Sequence, residues 1–236
     1  MGSFGKFSVV ACLTTILSAA SPAHATDTFA QFVQLFPKAR IFTYTNTSGG
    51  IKAKLGTLSG SDAVLVSNLG SLVSPSITVV NLTATATALP VVGTDITQLF
   101  SGSLTFTLLA PQLGLSGWST NALTVTFTNA VLDAAIGGGA STLQANSGSG
   151  STISYMSDFA DLTGATDEDF ALSFSGASTT LAIVGSRLPN FRISGTGTFA
   201  ATLPTPEPAS WSMMVGGFGL MGALMRSRRS VAVSLD

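Results

Sequence analysis

Apolar and polar residues alternate with a period of two along much of this chain, with Thr the commonest polar partner. The runs Ile77 to Thr87, Ser103 to Leu108 and Leu123 to Thr128 show it most plainly. Alternation built from β-branched and aromatic residues predicts half-buried strands. Further strands are predicted at Ala39 to Asn46, Ile51 to Thr57, Ala63 to Asn68, Thr152 to Met156, Phe170 to Phe174, Thr179 to Val184 and Phe191 to Ala201. Thr28 to Phe36 fits a short helix or a strand. Turn material separates the runs, as at Ser48-Gly49-Gly50, Gly137-Gly138-Gly139 and Ser147 to Gly150. Short strands without a convincing helix predict an all-β fold, an antiparallel β-sandwich or a jelly-roll-like barrel. No fixed-period repeat points to a solenoid or propeller.

The first residues break this pattern. Lys6 is a minimal basic start, Phe7 to Ala20 is mostly apolar, and Ala23-His24-Ala25 puts small residues, Ala23 and Ala25, at cleavage positions. That order is a secretory signal peptide over 1–25, read by the secretion translocon and signal peptidase. Removing it takes away Cys12 and His24, the only cysteine and histidine. The all-β exported domain, 26–203, is then without thiol or imidazole. Disulfides, Cys or His metal ligands, Ser-His-Asp triads and Cys-His dyads are excluded together. P-loop and dinucleotide patterns are absent too, so no catalytic residue is assigned and no enzyme is expected. Nine acids face six bases between Thr26 and Thr205, with no basic patch for nucleic acid. Charged residues are only 9% of the chain, so the solvent face is left to Ser, Thr, Asn and Gly.

Candidate sites are few. Asp158, Asp161, Asp167, Glu168 and Asp169 fall close together beside Gly164. Carboxylates converging in a loop are the hard oxygen ligands that Ca²⁺ takes. Their spacing fits neither the EF-hand nor the nonapeptide repeat, and the plainer reading is a solvated acidic loop. No other cofactor is indicated. Trp118 could stack on a sugar if exposed; the favoured reading is a plug over the end of the sandwich. Tyr44 and Tyr155 invite the same question. The Thr run Thr83 to Thr87 reads first as a solvated strand face and second as an array facing ice or a polysaccharide. Lys52 and Lys54, two apart, solvate an edge strand against aggregation.

The C-terminal stretch departs most from the rest. Pro206-Glu207-Pro208 is followed by Trp211, an uncharged run to Met225, and Arg226, Arg228 and Arg229. At about 1.5 Å per residue a helix over that run spans roughly 22 Å, short of the ~30 Å hydrocarbon core. Trp and Arg at its two ends suit the two interfaces, and the arginines mark the cytoplasmic side as a stop-transfer signal. Ser212, Gly216, Gly219 and Ala223 fall on one helical face, a small-residue stripe that lets a second helix approach. One short C-terminal transmembrane helix is therefore expected.

Motif, Trp, Gly-rich span and Arg cluster in that order resemble the PEP-CTERM sorting signal of exported bacterial proteins. The resemblance covers 204–229, with 230–236 as a tail. Ser212, where Ala is usual, and the residues beyond the arginines depart from the pattern. The resemblance implies transient anchoring in the inner membrane, cutting near Pro-Glu-Pro by an exosortase, and passage to the cell surface or extracellular matrix. It also implies a structural or adhesive role with exopolysaccharide or biofilm as partner. A carbohydrate-binding module, with or without calcium, is one alternative. An unprocessed periplasmic protein held at the inner membrane is the other.

Overall fold

The computed structural model describes residues 26–36, 38–46, 53–58, 63–184, 187–204, 217–219 and 221–222. The chain is all-β and antiparallel, as its alternation predicts. In chain order the strands are β1 (Asp27–Gln34), β2 (Phe42–Asn46), β3 (Ala53–Thr57), β4 (Ala63–Ser67), β5 (Ser76–Ala86) and β6 (Val91–Val92). They continue with β7 (Asp95–Leu113), β8 (Trp118–Ala135), β9 (Ser141–Asn146), β10 (Thr152–Met156), β11 (Thr166–Ser175) and β12 (Phe191–Thr202).

Their ladders close on themselves. β1 pairs with β4, β4 with β5, β5 with β7 and β7 with β8. β8 then pairs with β9, β9 with β11, β11 with β12, and β12 returns to β1. A second path joins β12 to β5 through β2 and β3. β10 runs along the first half of β8, beyond the stretch that holds β9. Closure leaves the ring strands without free backbone edges, which is how barrels avoid edge-to-edge association. One pole holds the start of β1 and the end of β12, where Asp27 pairs with Ala201. This exit pole is where the chain leaves for 204–229.

The alternation decides what fills the ring. In β7 the buried side chains are Ile96, Gln98, Phe100, Leu104, Phe106 and Leu108, all of one parity. In β8 the parity changes from Leu123, Val125 and Phe127 to Ala130, Leu132 and Ala134. The change sits at a bulge, where Thr128 and Asn129 both oppose Ser101 and Asn129 has φ 55. The extra residue turns both halves of the strand inward. Rings meet across the interior: Phe32 of β1 lies 5.1 Å from Phe106 of β7, and Phe127 of β8 5.0 Å from Phe170 of β11. Such tilted pairs add about 0.5–1.5 kcal/mol each beyond their burial. Apolar residues inside and Thr or Ser outside are the reverse of a membrane-spanning barrel, whose outer band is apolar.

One ambiguity resolves and one expectation changes. Thr28 to Phe36 resolves into strand β1, and a bulge that buries Phe29 and Ala30 in succession is what blurs its period. Thr179 to Val184 is not a strand. Leu181 is fully buried and exchanges backbone hydrogen bonds with the β8–β9 turn, Leu181 N to Gly138 O at 2.9 Å and Gly137 N to Leu181 O at 2.7 Å. This apolar run plugs the far pole instead of joining the sheet. β9, β6 and the long extensions of β7 and β8 carry weaker signals that alternation alone does not pick out.

Gly197 tests the packing. A Cβ there would stand 2.6 Å from Leu172 Cδ2 and closer still to the Phe32 ring. Gly197→Ala is expected to destabilise by about 1–3 kcal/mol through overpacking. In a domain of this size that lowers Tm by roughly 2–10 °C, read by thermal circular dichroism.

Candidate functional site

The exit pole gathers most of the residues that the sequence singles out. Asp158 and Asp161 lie in the connection between β10 and β11, while Asp167, Glu168 and Asp169 are within β11 itself. The expected acidic loop is thus partly a strand. Asp167 has φ 51 at a bulge between Thr166 and Asp169, where two acids are accommodated opposite one partner step. Three of the carboxylates have their own local partners. Ser119 Oγ donates to Asp158, Thr163 N to Asp161 at 3.0 Å, and Asn146 Nδ2 to Asp169 at 3.2 Å. The Thr163 backbone N–H, and then its hydroxyl, hold the Asp161 carboxyl below the usual carboxylate range. Among the described residues no group of three or more His, Cys, Asp or Glu side chains is placed to hold a metal ion.

Trp118 is 75% exposed, which overturns the plug reading. β7 and β8 run on past the ring, and Trp118 pairs with Leu113 near the tip of that hairpin. Leu113 and Leu115 are exposed beside it. The plug of this pole is Phe159 with Leu69, tied by Ser71 N to Phe159 O at 2.8 Å. Phe159 lies in the turn-forming stretch that carries Asp158, so alternation gives no sign of it.

The two tyrosines are structural. Tyr44 donates to Gln98 Oε1 at 2.9 Å and stacks on Phe191 with centroids 4.9 Å apart. Burial pushes its phenol up to about 12. Tyr155 packs edge-on to Phe29 and donates to the Asp169 carbonyl. Burial, then the charges of Asp169 and Glu168, push its phenol well above the ordinary value of 10.0. Neither ring is free to stack on a sugar.

Threonine forms a surface array. Outward positions pair directly from strand to strand: Thr43 with Gly56, Gly56 with Thr83, Thr83 with Ser103, Ser103 with Thr126 and Thr126 with Ser154. That row crosses six strands, β2, β3, β5, β7, β8 and β10, which at about 4.8 Å per strand makes it ~24 Å wide. Neighbouring rows carry Thr45, Thr85, Thr105 and Thr124, with Lys54 as the one charge among these pairs. Lys54 is on β3, whose two edges are both covered by β2 and β5, so its edge-strand role is not met. Lys52 lies outside the described residues.

Charge is divided between the poles. Asp27 joins the five clustered acids at the exit pole, whereas Lys38, Arg40, Arg187 and Arg192 sit at the far pole and Lys54 toward it. Only Asp95 and Asp133, among the described acids, share the far half, at the β7–β8 pairing.

The sorting residues Pro206, Glu207, Pro208, Trp211, Ser212, Gly216, Ala223, Arg226, Arg228 and Arg229 lie outside the described residues, as do Ala23 and Ala25. Gly219 is described, in a helical stretch over 217–219, and 221–222 are helical as well. Among the described residues no helix is long and apolar enough to cross a membrane. Residues 204–229 match the family model of the PEP-CTERM protein-sorting motif. That motif makes this an exported chain addressed to an exosortase for membrane-associated sorting. No curated protein and no solved structure matches the chain.

Two measurements check the site. Trp118→Ala is expected to change stability by less than about 0.5 kcal/mol, against 3–5 kcal/mol for a core Trp. A Tm that falls by 10 °C or more (roughly what 3–5 kcal/mol gives at this size) would restore the plug reading. The tyrosines set an alkaline limit. Their folded pKa values lie above the unfolded 10.0, so the folded state binds more protons as pH rises past that point. The stability from keeping the phenols neutral is full below about pH 10 and is lost as pH climbs through the Tyr44 value of about 12. Tyr44→Phe should flatten the fall in Tm over that window.

Proposed function

We propose that this chain is an exported, exosortase-processed surface or extracellular-matrix protein with a structural or adhesive role beside exopolysaccharide. It enters through the secretion translocon, loses 1–25 to signal peptidase, and is held by a short transmembrane helix over Trp211 to Met225. Exosortase cutting near Pro206-Glu207-Pro208 then frees the barrel. The observation that carries the role is the hydroxyl array, six strands wide with Lys54 as its single charge. A surface with little charge resists association less than a charged one. Its hydroxyls offer both donors and acceptors to a hydrated polysaccharide.

The exposed Trp118 supports a second reading, a carbohydrate-binding module in which the indole stacks on a sugar ring at the exit pole.

Intact mass of the native protein decides the route. An extracellular species running from Thr26 to between Pro206 and Ala209 is expected. A membrane-bound species running to Asp236 would make the tail a permanent anchor and end the matrix role. Trp118 fluorescence in a Trp211→Phe background, titrated with neutral oligosaccharides, separates the two readings. Quenching supports the binding module, and an unchanged spectrum supports the plain matrix protein.

A further inference from the structure

We propose that the far pole carries a binding site for the carboxylate groups of an acidic, uronate-bearing polysaccharide. The inference rests on the matrix reading above and names the ligand class within it. A cavity of about 560 Å³ opens between the ends of β1, β11 and β12 and the connection that follows β1. That volume is within the ~300–1,000 Å³ of ordinary ligand pockets. Lys38 and Arg40 line it from the connection, Ser173 and Ser175 from β11, and Ser194 and Thr196 from β12. No acid lines it.

The lining is held in place from beneath. Gln34 is only 4% exposed, yet it reaches the cavity. Its Oε1 accepts from Gly195 N at 3.1 Å, and its Nε2 donates to Phe36 O at 2.5 Å. One buried amide thereby fastens the β12 floor to the connection that carries both cations. Arg40 has φ 49, a left-handed conformation that costs a non-glycine residue energy and recurs at functional sites. A glycine there would be easier to fold, but it would bring no charge to the cavity.

The chemistry favours a carboxylate on a sugar. A guanidinium presents a planar fork to a carboxylate, an ammonium adds a point charge, and the surrounding hydroxyls suit sugar hydroxyls. A neutral sugar gives two cations nothing to pair with. Position bears on the source of the anion. The cavity is at the pole opposite the exit of the chain toward its sorting motif, where the acids gather. Until the barrel is cut free, this is the pole away from its attachment at Pro204.

The test uses the full chain in detergent micelles, titrated calorimetrically with a galacturonic acid tetrasaccharide, a neutral glucose tetrasaccharide and inorganic phosphate. The oligouronate is expected to bind, more weakly as salt is raised, and the neutral sugar not to bind. Lys38→Gln combined with Arg40→Gln should weaken oligouronate binding about tenfold or more, the worth of one lost charge-assisted hydrogen bond. Arg187→Gln, at the same pole but outside the cavity lining, should leave it unchanged. Arg40→Gly separates binding from folding, since it should weaken binding while Tm holds or rises. Oligouronate binding that survives the double variant would overturn the site, as would equal binding of the neutral sugar. Phosphate binding without oligouronate binding would overturn the polysaccharide and leave a simple anion site. If native protein is found in the matrix fraction while no oligouronate binds, this site fails and the matrix role stands.

Discussion

Closure of the hydrogen-bonded ring is the constraint on which the remainder depends. Once β12 returns to β1, the circumference is fixed and the interior must be filled with side chains that sum to one volume. Phe32, Phe106, Phe170 and Phe199 fill it, and Gly197 and Gly195 yield the space those rings need. A Cβ on Gly195 would approach Phe174 and Phe42 to within 3.0 Å. Loose loops finish the job at the poles, where Leu181 and Phe159 are drawn in as plugs. The glycines are therefore part of the aromatic core and not only turn material.

Closure also sorts the polar residues. With the apolar parity pointing inward, every Thr and Ser of opposite parity is placed on a continuous outer surface, and strand pairing lines them up in rows. Charges gather toward either pole, some in the connections and some in the ends of the strands. The exit pole becomes acidic beside the start of the sorting segment, with Gly164 packed near Pro204. The far pole becomes basic around Gln34. A net charge near zero over the whole chain hides this separation.

Much of the fold was legible in residues 77–87, 103–108, 123–128 and 191–201, predicted as strands and found in β5, β7, β8 and β12, although Ile77 is exposed and Thr78 buried at the start of β5. Legibility failed where a bulge shifts parity, as at Phe29–Ala30 and at Thr128–Asn129. It failed too where an apolar run is used as a plug, as at Leu181. Trp118 was misjudged because a large apolar residue is buried more often than not, and the length by which β7 and β8 outrun the ring is not written in either strand. Lys38 and Arg40 gave no signal at all, since most of the residues that share the cavity with them are more than a hundred positions away.

The sequence by itself determined the address and the class: a sorting motif at 204–229 and an all-β domain. Both are local properties, an ordered set of residues read by other proteins and a period of two set by the backbone pleat. Tertiary structure decided which strands pair, that the ring closes, where the acids and bases part, and that Lys38 and Arg40 share a cavity with Ser173 and Thr196. Those depend on register and on contacts between distant segments, and a one-dimensional pattern carries no record of the distance between two residues in space.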